Sequence, residues 1–194
     1  MAESGCQSLF IGFESINAAS LSDVNKAGSV EQYEQLIEVI HSRGMMVNAS
    51  MVFGLDGDDT STFERTLDWL VSMRIETLTS HILTPYPGTE LHRHLDEAGR
   101  ITDRRLEHYN TAHVVFKPKN MTAEELYSGY LWMYRQFYSL RNIVRRYPRQ
   151  KLQRKAYLLF NLLYRKFGVL TSALARLIPM RTLGKLAAYM SYKT

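Results

Sequence analysis

The sequence predicts an α/β protein, a partial (half) TIM-like β/α barrel of parallel strands followed by an α-helical C-terminal region. Three observations carry this. Three strand-like runs, LFIGFES (9–15), VNASMVFGLDGDD (47–59) and SHILTPYPGTEL (80–91), each end in a polar or Gly/Pro turn. They begin 38 and 33 residues apart, the repeat length of a β/α unit. A helix-period segment follows each of the first two, so the order is strand, helix, strand, helix, strand, and crossovers of this kind make the strands parallel. Such folds gather functional groups at the C-terminal ends of their strands. Those ends carry Glu14 and Ser15, then Gly54 and Asp56, then Thr84 and Pro85.

Each element has a local reason. Residues 8 to 13 are apolar between polar flanks, as expected of a strand buried on both faces. Ser29 and Gln32 form a capping box for a helix whose stripe is Tyr33, Leu36, Ile37 and Ile40, and Gly44 stops it. Residues 46 to 54 read as the second strand. Ser61 with Glu64 reads as a second capping box, before the stripe Phe63, Leu67, Leu70 and Val71. A third strand covers about 78 to 84. The run Pro85-Tyr86-Pro87-Gly88-Thr89 makes a rigid loop, and a short helix over 90 to 98 ends at Gly99. A basic connection with one strand-like piece at 113 to 116 leads to a third capping box, Thr122 with Glu125, and to the stripe Leu126, Tyr130, Met133, Phe137 and Leu140. This gives a half barrel over 1–100, a helical extension over 101–148 and a basic amphipathic tail over 149–194.

In the tail, Lys151, Arg154, Lys155, Arg165 and Lys166 cluster on one face at helical pitch, and Leu152, Ala156, Leu159, Phe160, Leu163, Phe167 and Leu170 take the opposite arc. Leu158 and Leu162 intrude on the basic side. Pro179 precedes a last short helix over 183 to 190.

Composition narrows the function. The chain has 194 residues, is 45% hydrophobic and contains one cysteine, so it builds one substantial core and holds neither an internal disulfide nor a cysteine-only metal site. Its N-terminus lacks a signal-peptide pattern and no apolar run is long enough to span a bilayer, so the expectation is a cytoplasmic chain, with a place peripheral to the membrane as the alternative. The net charge of +5 hides an asymmetry, for residues 1–100 carry 6 Lys/Arg against 15 Asp/Glu while residues 101–194 carry 18 against 4. After Glu125 there is no acidic residue but 14 Lys/Arg, which suits an anionic partner.

Few residues stand out as chemistry. Glu14 ends an apolar strand, where an unpartnered carboxylate would be costly, and so implies a ligand or a basic partner. Lys26 either folds over the strand ends or is a solvated loop lysine, and the hydroxyl of Ser50 is either bound by backbone or offered to a ligand. Asp56, Asp58 and Asp59 lack the alternation of a calcium loop and are expected to favour the N-terminus of the helix that follows. His92 and His94 cannot share one helical face, and no set of residues has zinc spacing. No nucleophile elbow, phosphate loop or dinucleotide fingerprint occurs. Cys6 reads as an inert core thiol.

The run GFES, the pair Asn25-Lys26, the strand end VFGLDGDD and ILTPYPGTEL together resemble the C-terminal half of a radical S-adenosylmethionine (radical SAM) barrel. The type is the one associated with a cobalamin-binding domain, similar to hopanoid methylases and magnesium-protoporphyrin cyclase. The stretch from His108-Tyr109 through VVFKPKNMTAEELYSGYLWMYRQFYS resembles the helical extension of the same proteins. The resemblance implies a set of SAM contacts: Glu14, with Ser15 beside it, near the methionyl amino or ribose region, Lys26 on the carboxylate, Ser50 at the ribose hydroxyls, and backbone near Phe53, Gly54 and Thr84 along the adenine. It also implies a [4Fe-4S] cluster and possibly cobalamin, but the CxxxCxxC cluster motif is absent from this chain. No catalytic residue and no metal ligand is assigned here.

The expected function is therefore the SAM-binding, substrate-side half of an enzyme that methylates or cyclises a small apolar substrate, a truncated chain inactive by itself. A half barrel leaves a strand edge unpaired, so self-association or a complementary N-terminal half is expected. The alternative is a module that docks through 149–194 on an anionic membrane surface. Docking on RNA is disfavoured because the tail is rich in leucine and lacks recognition motifs.

Overall fold

The computed structural model describes residues 1–17, 20 and 29–177, with side chains to residue 166. Strands β1 (Ser8–Glu14), β2 (Met46–Phe53) and β3 (Thr77–Ile82) form a parallel sheet in the order β1-β2-β3. Helix α1 (Val30–Ser42) joins the first two strands and α2 (Thr62–Ser72) the next two. Then come α3 (Glu90–Glu97), α4 (Ala123–Phe137), α5 (Leu140–Arg145) and α6 (Arg154–Leu177). The predicted architecture is present. The piece at 113 to 116 contributes only a single antiparallel bridge, Ile101 to Phe116.

Register fixes which residues share a face. Ile11, Ala49 and Leu78 lie in one row, and Gly12, Ser50 and Thr79 in the next. With side chains alternating along each strand, Val47, Ala49, Met51, Phe53, Leu78 and Ile82 face the helices, where they join Ile37, Ile40, Leu67 and Leu70 in the core. The other face holds Phe10, Gly12, Asn48, Ser50, Thr77, Thr79 and His81, and it is more open. Phe10 is 64% exposed, so β1 is not buried on both faces as its apolar run suggested.

Two of the three capping boxes form. Ser29 with Gln32 and Thr122 with Glu125 exchange side-chain and backbone hydrogen bonds. At α2 the N-cap Ser61 makes no capping bond, because the Asp59 carboxylate accepts both its N–H and its hydroxyl. A carboxylate beside the helix start competes better for these donors. In α1, Leu36 is 43% exposed and the stripe narrows to Ile37 and Ile40 with half-buried Tyr33. The stripe of the helical extension breaks at Phe137. Ser139 caps α5, and Leu140 points out, 53% exposed.

Helix α4 lies along the outer edge of β3. The Tyr138 hydroxyl accepts from the Leu78 N–H (3.2 Å) and donates to the Leu78 carbonyl (3.1 Å). Tyr134 does the same at Ser80, at 2.8 and 3.1 Å. Four helical residues rise about 6 Å and two strand residues about 6.7 Å, so tyrosines one turn apart match every second peptide of the strand. The Ile82 N–H continues the series, donating to the Thr111 carbonyl at 2.7 Å. Each hydroxyl stands in for a neighbouring strand. Gly129 brings α4 against α2, where a Cβ would lie 2.1 Å from the Phe63 ring.

Arg146, fully buried, locks the extension to the entrance of β3. Its guanidinium donates to the carbonyls of Ile75 (2.7 Å), Glu76 (3.1 Å) and Phe137 (2.6 Å) and lies 3.5 Å over the Phe137 ring. Burial brings its pKa down to about 10.

Candidate functional site

The C-terminal ends of the three strands are knitted together by their loops. Glu14 closes β1 just after a register shift at Phe13 and takes a left-handed backbone, φ 67°. A glutamate in this region costs on the order of 1 kcal/mol or more and persists only where the surroundings enforce it. Its side chain is half-buried, and its charge, after burial, helps to hold the Tyr33 phenol above its usual pKa. Ser15 is buried, and its hydroxyl accepts from the Asn17 N–H at 3.0 Å. Asn17 in turn donates to the Gly57 carbonyl at 2.7 Å, so the exit of β1 is tied to the exit of β2.

Asp58 is the hub of the second exit. It is 1% exposed, and one carboxylate oxygen accepts from the backbone N–H groups of Gly54 (3.0 Å) and Leu55 (3.1 Å) while the other accepts from the Ser20 hydroxyl (2.8 Å). Burial pushes its pKa above the usual carboxylate value. The three acidic residues thus divide their work, and only Asp59 serves the helix as expected. Asp58 folds the loop inward, and Asp56 makes a bidentate pair with Arg100 (2.7 and 3.0 Å) that holds its carboxyl below the usual range. Arg100 also donates to the Lys117 carbonyl (2.8 Å), and the Asn120 amide donates to the Asp56 carbonyl (2.7 Å). The extension therefore clamps the exit of β2 as firmly as it seals β3.

The residues expected at a cofactor divide between two faces. Ser50, 5% exposed, is on the open face in register with Gly12 and Thr79. Phe53 turns into the core, its ring 4.9 Å from Phe63, so only its backbone reaches the strand end. Gly54 adopts φ 98°, and a Cβ there would lie 2.8 Å from Leu126, so the glycine is required by the approach of α4. Thr84 is nearly buried, with its hydroxyl donating to the Ile82 carbonyl at 3.0 Å. Lys26 lies outside the described residues. Cys6 is half-buried, its thiol directed at the Ser8 carbonyl at 3.5 Å. The clamp also shapes an open hollow of about 450 Å³ beside Asp56, Arg100, Lys117 and Lys119, which none of the expected cofactor residues lines.

Sequence reasoning missed Asp58, Arg100 and Asn120. The DGDD run announces a polar turn, but which carboxylate turns inward depends on the backbone amides it meets. The open face suits SAM in kind through the Ser50 and Thr79 hydroxyls in one row, whereas Glu14, past the register shift, pairs with Met51 of the helix-facing set and acts on Tyr33 of α1. It does not fit an iron–sulfur cluster. The chain has one cysteine, and it precedes the opposite end of β1, roughly 20 Å from Glu14 at strand rise.

Comparison with known proteins decides the relationship. A family described as a domain of unknown function (DUF4070) matches residues 89–160, from the end of the third loop into α6. The bacteriochlorophyllide d C-12(1)-methyltransferase of Chlorobaculum tepidum is 31% identical over 74% of this chain and 31% of that protein. The anaerobic magnesium-protoporphyrin IX monomethyl ester cyclase of Rubrivivax gelatinosus is 26% identical over 77% of this chain and 26% of that protein. The hopanoid C-3 methylase of Methylococcus capsulatus is 28% identical over 63% of this chain and 23% of that protein. The chain matches one part of the radical SAM methyltransferases and cyclases. It spans about a quarter to a third of the length of these curated relatives. A solved structure, the radical S-adenosylmethionine methyltransferase TsrM from Kitasatospora setae with cobalamin and a [4Fe-4S] cluster bound, aligns over 70% of this chain and 27% of that one at 21% identity and a TM-score of 0.46. Among the described residues, no group of three or more His, Cys, Asp or Glu could hold a metal ion.

Proposed function

We propose that this chain is the SAM-binding, substrate-side part of a radical SAM enzyme that methylates or cyclises a small apolar molecule, and that it acts only together with a cluster-bearing part. The observation that carries the reading is the meeting of three parallel strand ends, where Glu14 is held in a strained backbone beside an open face bearing Ser50 and Thr79. The named relatives, a chlorin methyltransferase, a porphyrin cyclase and a hopanoid methylase, support an apolar substrate.

In this reading the chain's own residues bind and orient. Glu14 accepts from the cofactor's ammonium or ribose, Ser50 hydrogen-bonds a ribose hydroxyl, and peptide groups at Phe53, Gly54 and Thr84 border the adenine. Asp58 fixes the Gly54 and Leu55 amides, and through them the shape of that border. SAM bound there would supply the radical chemistry, given an electron from a cluster held outside these residues.

The test is calorimetric titration of SAM into the chain alone and into its mixture with the part of the C. tepidum relative that this chain does not cover, reconstituted with iron and sulfide. Binding is expected to appear or strengthen in the mixture and to weaken at least ten-fold in Glu14→Gln and Ser50→Ala. Binding indifferent to both substitutions removes the site assignment. An absence of binding in both samples sinks the function.

A further inference from the structure

Helix α6 does not use its leucine-rich arc to join the rest of the fold. In the fold it docks through polar and aromatic groups instead. Tyr157 (1% exposed) donates to the Ile143 carbonyl at 2.7 Å, Asn161 (fully buried) donates to the Glu76 carbonyl at 3.1 Å, and the Tyr164 ring stacks on Tyr138 with centroids 4.1 Å apart. The apolar arc points outward, with Leu159 62%, Phe160 48%, Leu162 44% and Leu163 43% exposed.

At about 100° per residue, the outward half runs from Leu162 through Lys155, Lys166 and Leu159 to Leu163, Ala156 and Phe160. Arg165 lies about 60° beyond Leu162, outside this half. Besides the four side chains just quantified, Lys155, Ala156 and Lys166 are exposed too. A contiguous apolar stripe carrying cations along one side is unusual on a lone protein and marks an interaction surface.

We propose that this outward face of α6 lies on an anionic phospholipid surface, with Leu159, Phe160 and Leu163 entering the acyl boundary and Lys155 beside them meeting phosphates. Charge selects this occupant. No acidic residue follows Glu125, while 14 Lys/Arg do, so the surroundings of the stripe are attracted to an anionic plane. A second copy of the chain would bring cations against cations. Among the described residues no helix is long and apolar enough to cross a membrane, which leaves binding in the plane of the interface. Such docking would hold the open face of the sheet near an apolar substrate, but it stands independently of the SAM reading.

Flotation of the full chain with vesicles tests it, using phosphatidylcholine alone and phosphatidylcholine mixed with phosphatidylglycerol. The chain is expected to float with the mixed vesicles and to bind neutral ones about ten-fold less. Leu159→Glu/Leu163→Glu is expected to abolish flotation, and Lys155→Glu to weaken it several-fold. All three positions are exposed, and circular dichroism checks that the variants stay folded. Equal binding to neutral vesicles, or flotation untouched by Leu159→Glu/Leu163→Glu, overturns the proposal. So does self-association in sedimentation that this double variant removes, which would assign the face to a second copy.

Discussion

The two outer strands of the sheet differ in how their free edges are treated. Along β3, Tyr138, Tyr134 and the Thr111 carbonyl satisfy the peptide groups of Leu78, Ser80 and Ile82 in turn, and Tyr164 stacks over both tyrosines. Along β1, among the described residues, the strand pairs with β2 alone, and it bears the largely exposed Phe10. An edge sealed by side chains of its own chain cannot accept another strand, whereas an edge of the second kind can. Growth of the sheet is therefore blocked at β3. Addition at β1 suits a parallel barrel built outward from this half, with β3 as its last strand.

The largest effect is expected where the seal is broken. Tyr138→Phe removes one oxygen but strands a buried N–H and a buried carbonyl at Leu78, a loss of about 1–3 kcal/mol. Tyr134→Phe, at a less buried hydroxyl, should lose less, and the double variant should approach the sum because the two sites satisfy different peptides. Urea unfolding gives the energies. Hydrogen exchange locates them, with the Leu78 and Ser80 amides losing protection ahead of β2. If both variants unfold at the wild-type urea concentration, the tyrosines only neighbour the edge and do not close it.

A smaller effect is expected at the exit of β2, where Asp56 and Arg100 fasten the extension. The carboxyl of Asp56 is held below its usual value of 3.8, chiefly by Arg100, so its folded pKa is lower than its unfolded one. Its contribution to stability is present above about pH 4 and is lost as pH falls through the folded value. Asp56→Asn should thus show a flatter fall in urea midpoint below pH 4 than the wild type, with little change in the protection of β1. An equally steep fall in the variant would move the acid sensitivity elsewhere.

Much of this contrast was legible in the sequence, but only where it was local. Strands, crossover helices and the caps at Ser29 and Thr122 follow from spacing and short-range hydrogen bonds. Ser61 misled because Asp59, two residues away, captures the same donors. Tyr134 and Tyr138 are spaced as any helical stripe would be. That their hydroxyls replace a strand depends on α4 running antiparallel to β3, which periodicity does not encode. Which side of α6 meets the rest of the fold was hidden for the same reason, since amphipathicity ranks the faces of a helix without saying which neighbour lies on which side. At the site, Ser50 and Glu14 were legible as polar residues in apolar strands. Asp58 was not, because its role comes from two backbone amides brought to it by the turn.

The smallest effect on stability, and the sharpest separation of the two edges, belongs to Phe10. A side chain already 64% exposed contributes little to the folded chain, so Phe10→Lys should change its unfolding energy by no more than about 0.5 kcal/mol. The same substitution places a charge on the open face of β1, where a further parallel strand would bury it and make it costly. Titrations with the reconstituted part of the relative should therefore lose the gain in SAM binding while the chain alone stays as stable as before. A variant that keeps the gain would mean that growth at β1 leaves Phe10 in solvent, and the partner strand would then have to be sought in another arrangement. A variant that unfolds instead would mean that Phe10 already supports the isolated sheet and that β1, like β3, is complete within this chain.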